Sequence, residues 1–269
     1  MALDFDRPRR IGTVGRVHAA KTRAADLRTF LGRAAFLLGF VAGGVWFFLC
    51  SAAGLVAILV THGNRNNVFL FARFFCGPIV RLMGWKIEVD EARLSASRPC
   101  VFVSNHQSIM DLLVYGSIMP RMTVAVGKRE ISKIPLFGWF FRGSGNLVIE
   151  RGNSEAARQM LGAAARRLKE EGVSVWFMPE GTRNTGRELL PFKTGAFRLA
   201  AAAGVPIVPV VAAPLCAIVD TARFVARPGR LPIRVLDPVT VGEGEAAVAA
   251  AAAEVRDRMQ RELEAMSRR

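Results

Sequence analysis

The chain has 269 residues, 51% of them apolar, and a formal net charge of +15 from 37 Lys and Arg against 22 Asp and Glu. This length can bury the core of one main domain with some extra elements, and the charge favours a polyanionic partner. A mean hydropathy of +0.27 argues for a membrane and against nucleic acid. The four cysteines and three histidines show no metal-ligand spacing, so we expect reduced thiols in a cytoplasmic setting and no metal site.

The N-terminal third divides into a basic arm and an apolar run. Residues 1–33 carry eight Lys and Arg without a persistent apolar face, which indicates a flexible or surface-lying arm. Residues 34–60 contain no charged side chain. As a helix this run would be about 40 Å long, which exceeds the ~30 Å hydrocarbon core of a bilayer. We predict a membrane helix here, with a buried core helix as the alternative.

A second apolar stretch, 68–85, contains Arg73 and Arg81. Two arginines at the centre of a membrane span cost about 5–7 kcal/mol, more than the ~3–5 kcal/mol that its apolar residues gain. Arginines near an interface cost less because they snorkel. We therefore predict that residues 34–85 form a membrane-dipping two-helix hairpin. Because the arginine-rich N-terminus stays inside, the rest of the chain would lie on the cytoplasmic face of the inner membrane.

The pattern beyond residue 85 is that of a soluble domain, predicted to cover residues 86–242. An amphipathic helix begins at Ser154 and ends before Gly172, and 243–269 forms an alanine-rich C-terminal helix. This alternation of strands and helices predicts an α/β fold with a largely parallel mixed sheet flanked by helices. Short apolar strands are predicted at 100–104, 122–126, 147–149, 173–178, 207–211 and 233–236.

His106 and Asp111 directly follow the first of these predicted strands. On one continuous helix the two side chains would point about 140° apart. They can meet only if His106 lies in a strand-to-helix turn and Asp111 in the first helical turn, with Ser108 as a possible N-cap. The carboxylate would then hold one imidazole nitrogen while the other faces a substrate as a general base. The alternative is a capping box from Ser108 to Asp111, with His106 an ordinary turn residue.

Three further polar clusters follow predicted strands, and each alone fits a solvated loop. They contain Lys128, the Glu150–Arg151 pair, and the run from Pro179 to Arg183. Because the carboxyl ends of parallel strands meet at one edge of a sheet, these cations would converge there and grip a phosphate. In the last cluster, Gly181 would let the backbone approach a ligand and Glu180 would pair with an arginine or a substrate hydroxyl.

The ordered set of motifs resembles that of the glycerolipid acyltransferases. Residues 105–111 (NHQSIMD) resemble the first motif of this family, NHxxxxD, and residues 145–151 (GNLVIER) are similar to the second. Residues 179–183 (PEGTR) match the third motif, and residues 205–210 (VPIVPV) are similar to the fourth. The form of the third motif resembles that of the 1-acylglycerol-3-phosphate (lysophosphatidate) acyltransferases. One departure is Met178, where the family usually has Phe.

The resemblance implies transfer of an acyl group to the sn-2 hydroxyl of lysophosphatidate, giving phosphatidate at a membrane. It implies no cofactor, and acyl-CoA or acyl carrier protein as the thioester co-substrate. In the implied roles, His106 is the general base and Asp111 orients it. The implied acceptor-binding residues are Arg151, Glu180, Gly181, Thr182 and Arg183, with Lys128 as a helper.

Other functions stay open at this level. The first alternative is an enzyme of the same family whose acceptor is another lysolipid, such as a lyso-ornithine lipid. A membrane-tethered basic binding protein without chemistry is a second alternative, although the aromatic and basic interleaving typical of nucleic-acid binders is missing. An ester or thioester hydrolase is disfavoured because the sequence has no G-x-S-x-G motif.

Overall fold

The computed structural model describes residues 13–150, 154–185, 188–220, 223 and 225–268, with side chains from residue 37 onward except at 154 and 157. In these ranges the helices are α1 (Thr13–Thr61), α2 (Asn66–Leu82), α3 (Glu91–Ala96), α4 (Asp111–Ile118), α5 (Phe137–Gly143), α6 (Ser154–Glu171), α7 (Gly195–Ala203) and α8 (Glu245–Ser267). The strands are β1 (Trp85–Glu88), β2 (Val101–Ser104), β3 (Thr123–Lys128), β4 (Leu147–Ile149), β5 (Ser174–Phe177), β6 (Ile207–Ala212), β7 (Val219–Asp220), β8 (Val225–Ala226) and β9 (Gly229–Val235).

Seven strands form one mixed sheet in the order β1-β9-β6-β2-β5-β3-β4. The five strands from β6 to β4 are mutually parallel, whereas β9 is antiparallel to β6, and β1 pairs with β9 in parallel. Helices follow β2, β3, β4 and β5 before the chain enters the next parallel strand. The predicted α/β fold, with a largely parallel sheet flanked by helices, is therefore confirmed.

The sheet lies between two apolar cores, and this explains the continuous apolar runs in the sequence. Along β2, Val101 and Val103 belong to the core on one face, while Phe102 belongs to the core on the other. All four residues of β2 are buried. A parallel strand covered on both faces has no need of polar residues at alternate positions. Its first polar side chains therefore come where the strand ends, which is where the functional residues begin.

The N-terminal region differs from the prediction in two respects. Helix α1 begins at Thr13, so residues 13–33 continue the helix predicted to start at Ala34, while residues 1–12 lie outside the described residues. Among the described helices, only α1 is long and apolar enough to cross a membrane, over Leu37–Thr61. Helix α2 instead buries seven of its residues in the protein. The membrane-dipping two-helix hairpin is therefore not confirmed, and one candidate anchor helix stands in its place.

Helix α2 lies between α1 and the α/β domain. The indole Nε1 of Trp46 donates to the carbonyl of Phe74 at 3.1 Å, and the ring of Phe47 contacts that of Phe75 with centroids 5.1 Å apart. On the domain side, Arg73 Nη1 donates to the carbonyl of Ser117 in α4 at 3.0 Å. These contacts fix α2 to α4, the helix that follows the histidine turn.

Helix α1 also packs directly on α5, through small residues. A Cβ on Gly54 would lie 2.5 Å from Cδ2 of Phe140, and Phe140 is only 1% exposed. The opposite face of α1 is uncovered and apolar, with exposed residues at helical spacing. They are Leu38, Val41, Val45, Leu49, Val56 and Leu59. One face of α1 is thus bound to the domain while the other is free to contact lipid.

This packing predicts opposite effects for two glycine substitutions in the same helix. Gly54→Ala should lose about 1 kcal/mol or more of stability, because overpacking against the buried Phe140 ring exceeds the gain in helix propensity. Gly44→Ala is the matched control, since a Cβ there meets nothing within 4 Å. Thermal unfolding of the full chain in detergent measures both. Equal melting temperatures for the two variants would contradict the close α1–α5 contact.

Candidate active site

His106 and Asp111 meet where the chain turns from β2 into α4. The imidazole Nδ1 lies 2.7 Å from Asp111 Oδ2. His106 occupies the turn and Asp111 is the first residue of α4, which is the arrangement that their spacing requires. A proton on Nδ1 is donated to the carboxylate, so the lone pair of the neutral ring lies on Nε2. The described residues provide no hydrogen-bond partner for Nε2, and 19% of the histidine side chain is exposed.

The Asp111 carboxylate is fixed by the turn itself. Its Oδ2 atom also accepts from the backbone N–H of Gln107 at 2.6 Å and of Ser108 at 3.0 Å, and the residue is only 1% exposed. Ser108 stands three residues before α4, whose N-cap residue is Met110, and its Oγ accepts from the N–H of Met110 at 3.3 Å in the turn that leads into the helix. Ser108 therefore does not cap α4 itself, but the bond from its N–H to Asp111 is the reciprocal bond of the predicted capping box. The same turn points its backbone at the carboxylate that orients the imidazole.

The residues on either side of His106 fasten the turn to the end of β6. Asn105 Nδ2 donates to the carbonyl of Ala212 and its Oδ1 accepts from the Ala212 N–H, both at 3.0 Å. Gln107 Nε2 donates to the carbonyl of Ala213 at 3.0 Å, and its Oε1 accepts from the N–H of Leu215 at 2.9 Å. Neither side chain was singled out from the sequence. The only signal in the sequence was the presence of two amide side chains next to the histidine. Their hydrogen-bond partners lie over 100 residues further along the chain, so the sequence did not indicate them.

A buried tyrosine completes this network. Tyr115 OH donates to Asn105 Oδ1 at 2.7 Å. Burial, reinforced by the negative charge of Asp111, holds the pKa of the Tyr115 hydroxyl well above its ordinary value. The phenol therefore stays protonated and serves as a hydrogen-bond donor that positions Asn105.

Glu180 fastens the turn from the β5 side. The residue is 4% exposed, and its Oε1 accepts from the His106 N–H at 2.8 Å. Its Oε2 accepts from the Leu190 N–H at 3.1 Å and from Asn184 Nδ2 at 3.2 Å. The N–H of Asn184 in turn donates to the carbonyl of His106 at 2.7 Å. Among the described residues Glu180 pairs with no arginine, because its oxygens are occupied by the backbone that holds the histidine.

The remaining predicted residues follow neighbouring strands at the same sheet edge. In the order β2-β5-β3-β4, the loop with Thr182 and Arg183 follows the strand next to the histidine, and both residues are exposed. Lys128, exposed at the end of β3, is in register with Ile149 of β4. Strands are spaced about 4.8 Å apart, so the end of β3 lies roughly 10 Å from that of β2. These cations thus share one edge of the sheet with the histidine.

The β4 end of this row is only partly described. Glu150 forms an ion pair with Arg129, which follows Lys128. Arg151, one of the two arginines favoured for phosphate binding, lies outside the described residues. The acidic residue of this motif, Glu150, is thus paired with a cation that directly follows the adjacent strand β3.

Cys100, which lies beneath this turn, is not suited to act as a nucleophile. Cys100 directly precedes β2 and is fully buried. Burial raises the pKa of its thiol to about 12, although the hydrogen bond between this thiol and Ser174 opposes the shift. The thiol is therefore protonated at neutral pH and unreactive. The arrangement is suited to base-assisted attack by a hydroxyl of a substrate, next to cations that can hold its anionic group.

Comparisons with known proteins identify the family of this chain. The sequence model of the acyltransferase family matches residues 86–213. A 1-acyl-sn-glycerol-3-phosphate acyltransferase of Haemophilus influenzae is 36% identical over 195 residues, which cover 72% of this chain and 80% of that protein. The enzyme of the same name from Escherichia coli is 33% identical over 221 residues, covering 81% and 89%. The human 1-acyl-sn-glycerol-3-phosphate acyltransferase beta is 36% identical over 195 residues, covering 71% and 70%.

The fold has a counterpart among solved structures. The 1-acyl-sn-glycerophosphate acyltransferase PlsC of Thermotoga maritima aligns with a TM-score of 0.69 over 89% of this chain and 98% of that one, at 24% identity. This likeness establishes the fold, and the sequence relatives establish the kinship. The chain is an acyltransferase and belongs to the 1-acyl-sn-glycerol-3-phosphate acyltransferase family.

Proposed function

We propose that this enzyme transfers a fatty acyl group from a thioester donor to the sn-2 hydroxyl of 1-acyl-sn-glycerol-3-phosphate (lysophosphatidate), forming phosphatidate. The 2.7 Å hydrogen bond between His106 Nδ1 and Asp111 Oδ2 is the observation that carries the proposal. It leaves Nε2 unpartnered among the described residues at an edge of the sheet where cations gather. The names of the relatives provide the acceptor, a lipid with one acyl chain, one free hydroxyl and one phosphate.

In the proposed mechanism, His106 Nε2 removes the proton of the sn-2 hydroxyl as its oxygen attacks the thioester carbonyl. The new C–O bond forms, the C–S bond breaks, and the imidazolium returns its proton to the departing thiolate. Asp111 accepts the Nδ1–H throughout and stabilises the imidazolium. General base catalysis of this kind contributes about 10²- to 10⁴-fold. The thiol belongs to coenzyme A or to an acyl carrier protein, so the transfer needs a co-substrate and no cofactor.

The acceptor phosphate is assigned to the cations at the same edge. Arg183 and Thr182 are exposed on the loop that Glu180 and Asn184 bind to the His106 backbone. A guanidinium can grip two phosphate oxygens at once, and Lys128 adds a point charge from the next strand. We assign Arg151 to the same role because it ends the second family motif in the sequence. Gly181 and Glu180 shape and hold the loop.

Membrane attachment is assigned to α1. Its uncovered apolar face runs from Leu38 to Leu59, while Gly54 on the other face is bound to the domain. A helix held in this way keeps the active site beside the bilayer, where a one-chain acceptor and a two-chain product both remain in lipid. Because one face of α1 is bound to the domain, we propose that α1 dips into the bilayer and does not cross it. The basic N-terminus and the active site then both lie on the cytoplasmic face of the inner membrane, where anionic lipids attract nearby cations by about 1 kcal/mol each.

The function is tested with membranes that contain the protein, supplied with labelled acyl-CoA or acyl carrier protein and lysophosphatidate. Wild-type protein should form phosphatidate, and His106→Ala should reduce the rate by at least about 10²-fold, since the base is lost. His62→Asn is the matched control, because His62 is exposed in the α1–α2 connection. Phosphatidate formation that survives His106→Ala would reject the base. Product from lyso-ornithine lipid but not from lysophosphatidate would reject the acceptor.

The carboxylate can be tested separately from the histidine. Asp111→Asn keeps a side-chain oxygen for the turn but removes the charge that stabilises the imidazolium, so kcat should fall by about 10²- to 10⁴-fold with little change in the acceptor KM. Steady-state kinetics give both constants, and circular dichroism checks the fold. A kcat within threefold of the wild type would show that Asp111 serves only the turn.

The phosphate role of Arg183 predicts the opposite split between kinetic constants. Arg183→Ala should raise the acceptor KM about tenfold or more, the loss expected for a charge-assisted hydrogen bond, while kcat changes little. Arg166→Ala, at an exposed arginine of α6, is the control and should leave both constants unchanged. An unaltered acceptor KM in Arg183→Ala would remove Arg183 from the phosphate site.

A further inference from the structure

Lys193 lies against the loop that carries the third motif. Its backbone N–H donates to the carbonyl of Pro179 at 2.9 Å, which fixes the start of the side chain beside this loop. The side chain then runs over Gly181. A Cβ at Gly181 would lie 2.8 Å from Nζ of Lys193, 2.9 Å from its Cε and 3.1 Å from its Cδ. The ammonium group is therefore held against Gly181, which lies two residues before Arg183 on the loop that binds the His106 backbone.

This conformation is unusual for a lysine that has solvent available. An exposed lysine loses up to about 2 kcal/mol of rotamer entropy when its side chain is confined, so most extend into water. Lys193 is exposed, yet the last three atoms of its side chain occupy the space that a Cβ on Gly181 would need. Gly181 has a φ of +69°, a conformation that favours glycine, and the missing side chain is what leaves room for the lysine.

The charge of Lys193 is not neutralised by the described part of the protein. Arg129 at the same sheet edge has an acidic partner in Glu150. Lys193 takes part in none of the ion pairs of the described residues, and the nearby carboxylate of Glu180 already accepts from three protein donors. An ammonium group without a carboxylate partner, at the sheet edge that also carries Lys128 and Arg183, has a favourable place for an anion beside it.

We propose that Lys193 is a further phosphate-binding residue of this active site and that Gly181 makes room for it. The inference rests on the proposed function and extends it by one subsite. The ligand is a phosphate ester, either the headgroup of the acceptor or a phosphate of the coenzyme A part of the donor. A lysine provides a mobile point charge, which complements the fixed planar grip of an arginine such as Arg183.

The test measures equilibrium binding of two probes to the full chain in detergent. One probe is lysophosphatidate and the other is coenzyme A, and neither turns over alone. Lys193→Gln should weaken one of them about tenfold, and the arm affected identifies the source of the phosphate. Lys169→Gln, at an exposed lysine of α6, is the control and should change neither. If Lys193→Gln binds both probes within twofold of the wild type, the subsite is rejected.

A double-mutant cycle tests the part of Gly181. Gly181→Ala should weaken the same probe by displacing the ammonium group, and it should weaken it far less in the Lys193→Gln background, where no ammonium remains. An equal effect in both backgrounds would reject the role of Gly181. Because binding needs no turnover, the subsite and the proposed reaction fail separately: absent phosphatidate formation rejects the reaction, whereas unchanged binding rejects the subsite.

Discussion

The hydrogen bond from His106 to Asp111 depends on a reversal of the chain within seven residues, from the buried end of β2 to the first turn of α4. The backbone of that turn binds the carboxylate of Asp111. The N–H groups of Gln107 and Ser108 both donate to the same oxygen that accepts from the imidazole. A residue shift in either element would separate the two side chains. The buried strand and the helix therefore determine the catalytic geometry together, and neither does so alone.

The strands on either side of β2 hold this turn in place. His106 is held through its own N–H and C=O by Glu180 and Asn184 after β5, while Asn105 and Gln107 bind the end of β6. Strands β5 and β6 are the two neighbours of β2 in the sheet. The histidine is thus fastened from both sides at the carboxyl ends of adjacent parallel strands, and its ring remains the part that is free to act.

The same order of strands relates the catalytic base to the charge of the protein. The cations that follow β5 and β3 lie progressively further from the histidine along one edge, so an acceptor that places its hydroxyl at His106 can extend its phosphate toward them. Helix α1 is bound to α5 through Gly54, and α2 is bound to α4. The proposed membrane anchor is therefore joined through α2 to α4, the helix that begins with Asp111.

The sequence by itself determined the features that depend on local pattern. Continuous apolar runs identified the buried strands, alternation with helices identified the parallel sheet, and the spacing of His106 and Asp111 permitted only a turn followed by a helix. Four ordered motifs were enough to identify the family. These properties can be predicted from residues that are close in sequence. A strand buried on both faces gives a continuous apolar run, and an amphipathic helix gives apolar residues at helical spacing.

Only the tertiary structure decided which groups meet across the fold. Strand β1 was not predicted because its four residues pair with β9 some 144 positions later, as in Trp85 with Gly229. Glu180 was expected to pair with an arginine or a substrate hydroxyl, and the structure adds that its carboxylate accepts from the His106 backbone N–H. The position of Lys193 over Gly181 leaves no trace in the spacing of the sequence. Hydrogen bonds and close contacts between distant segments are set by how the strands are ordered in the sheet, and a single sequence does not record that order.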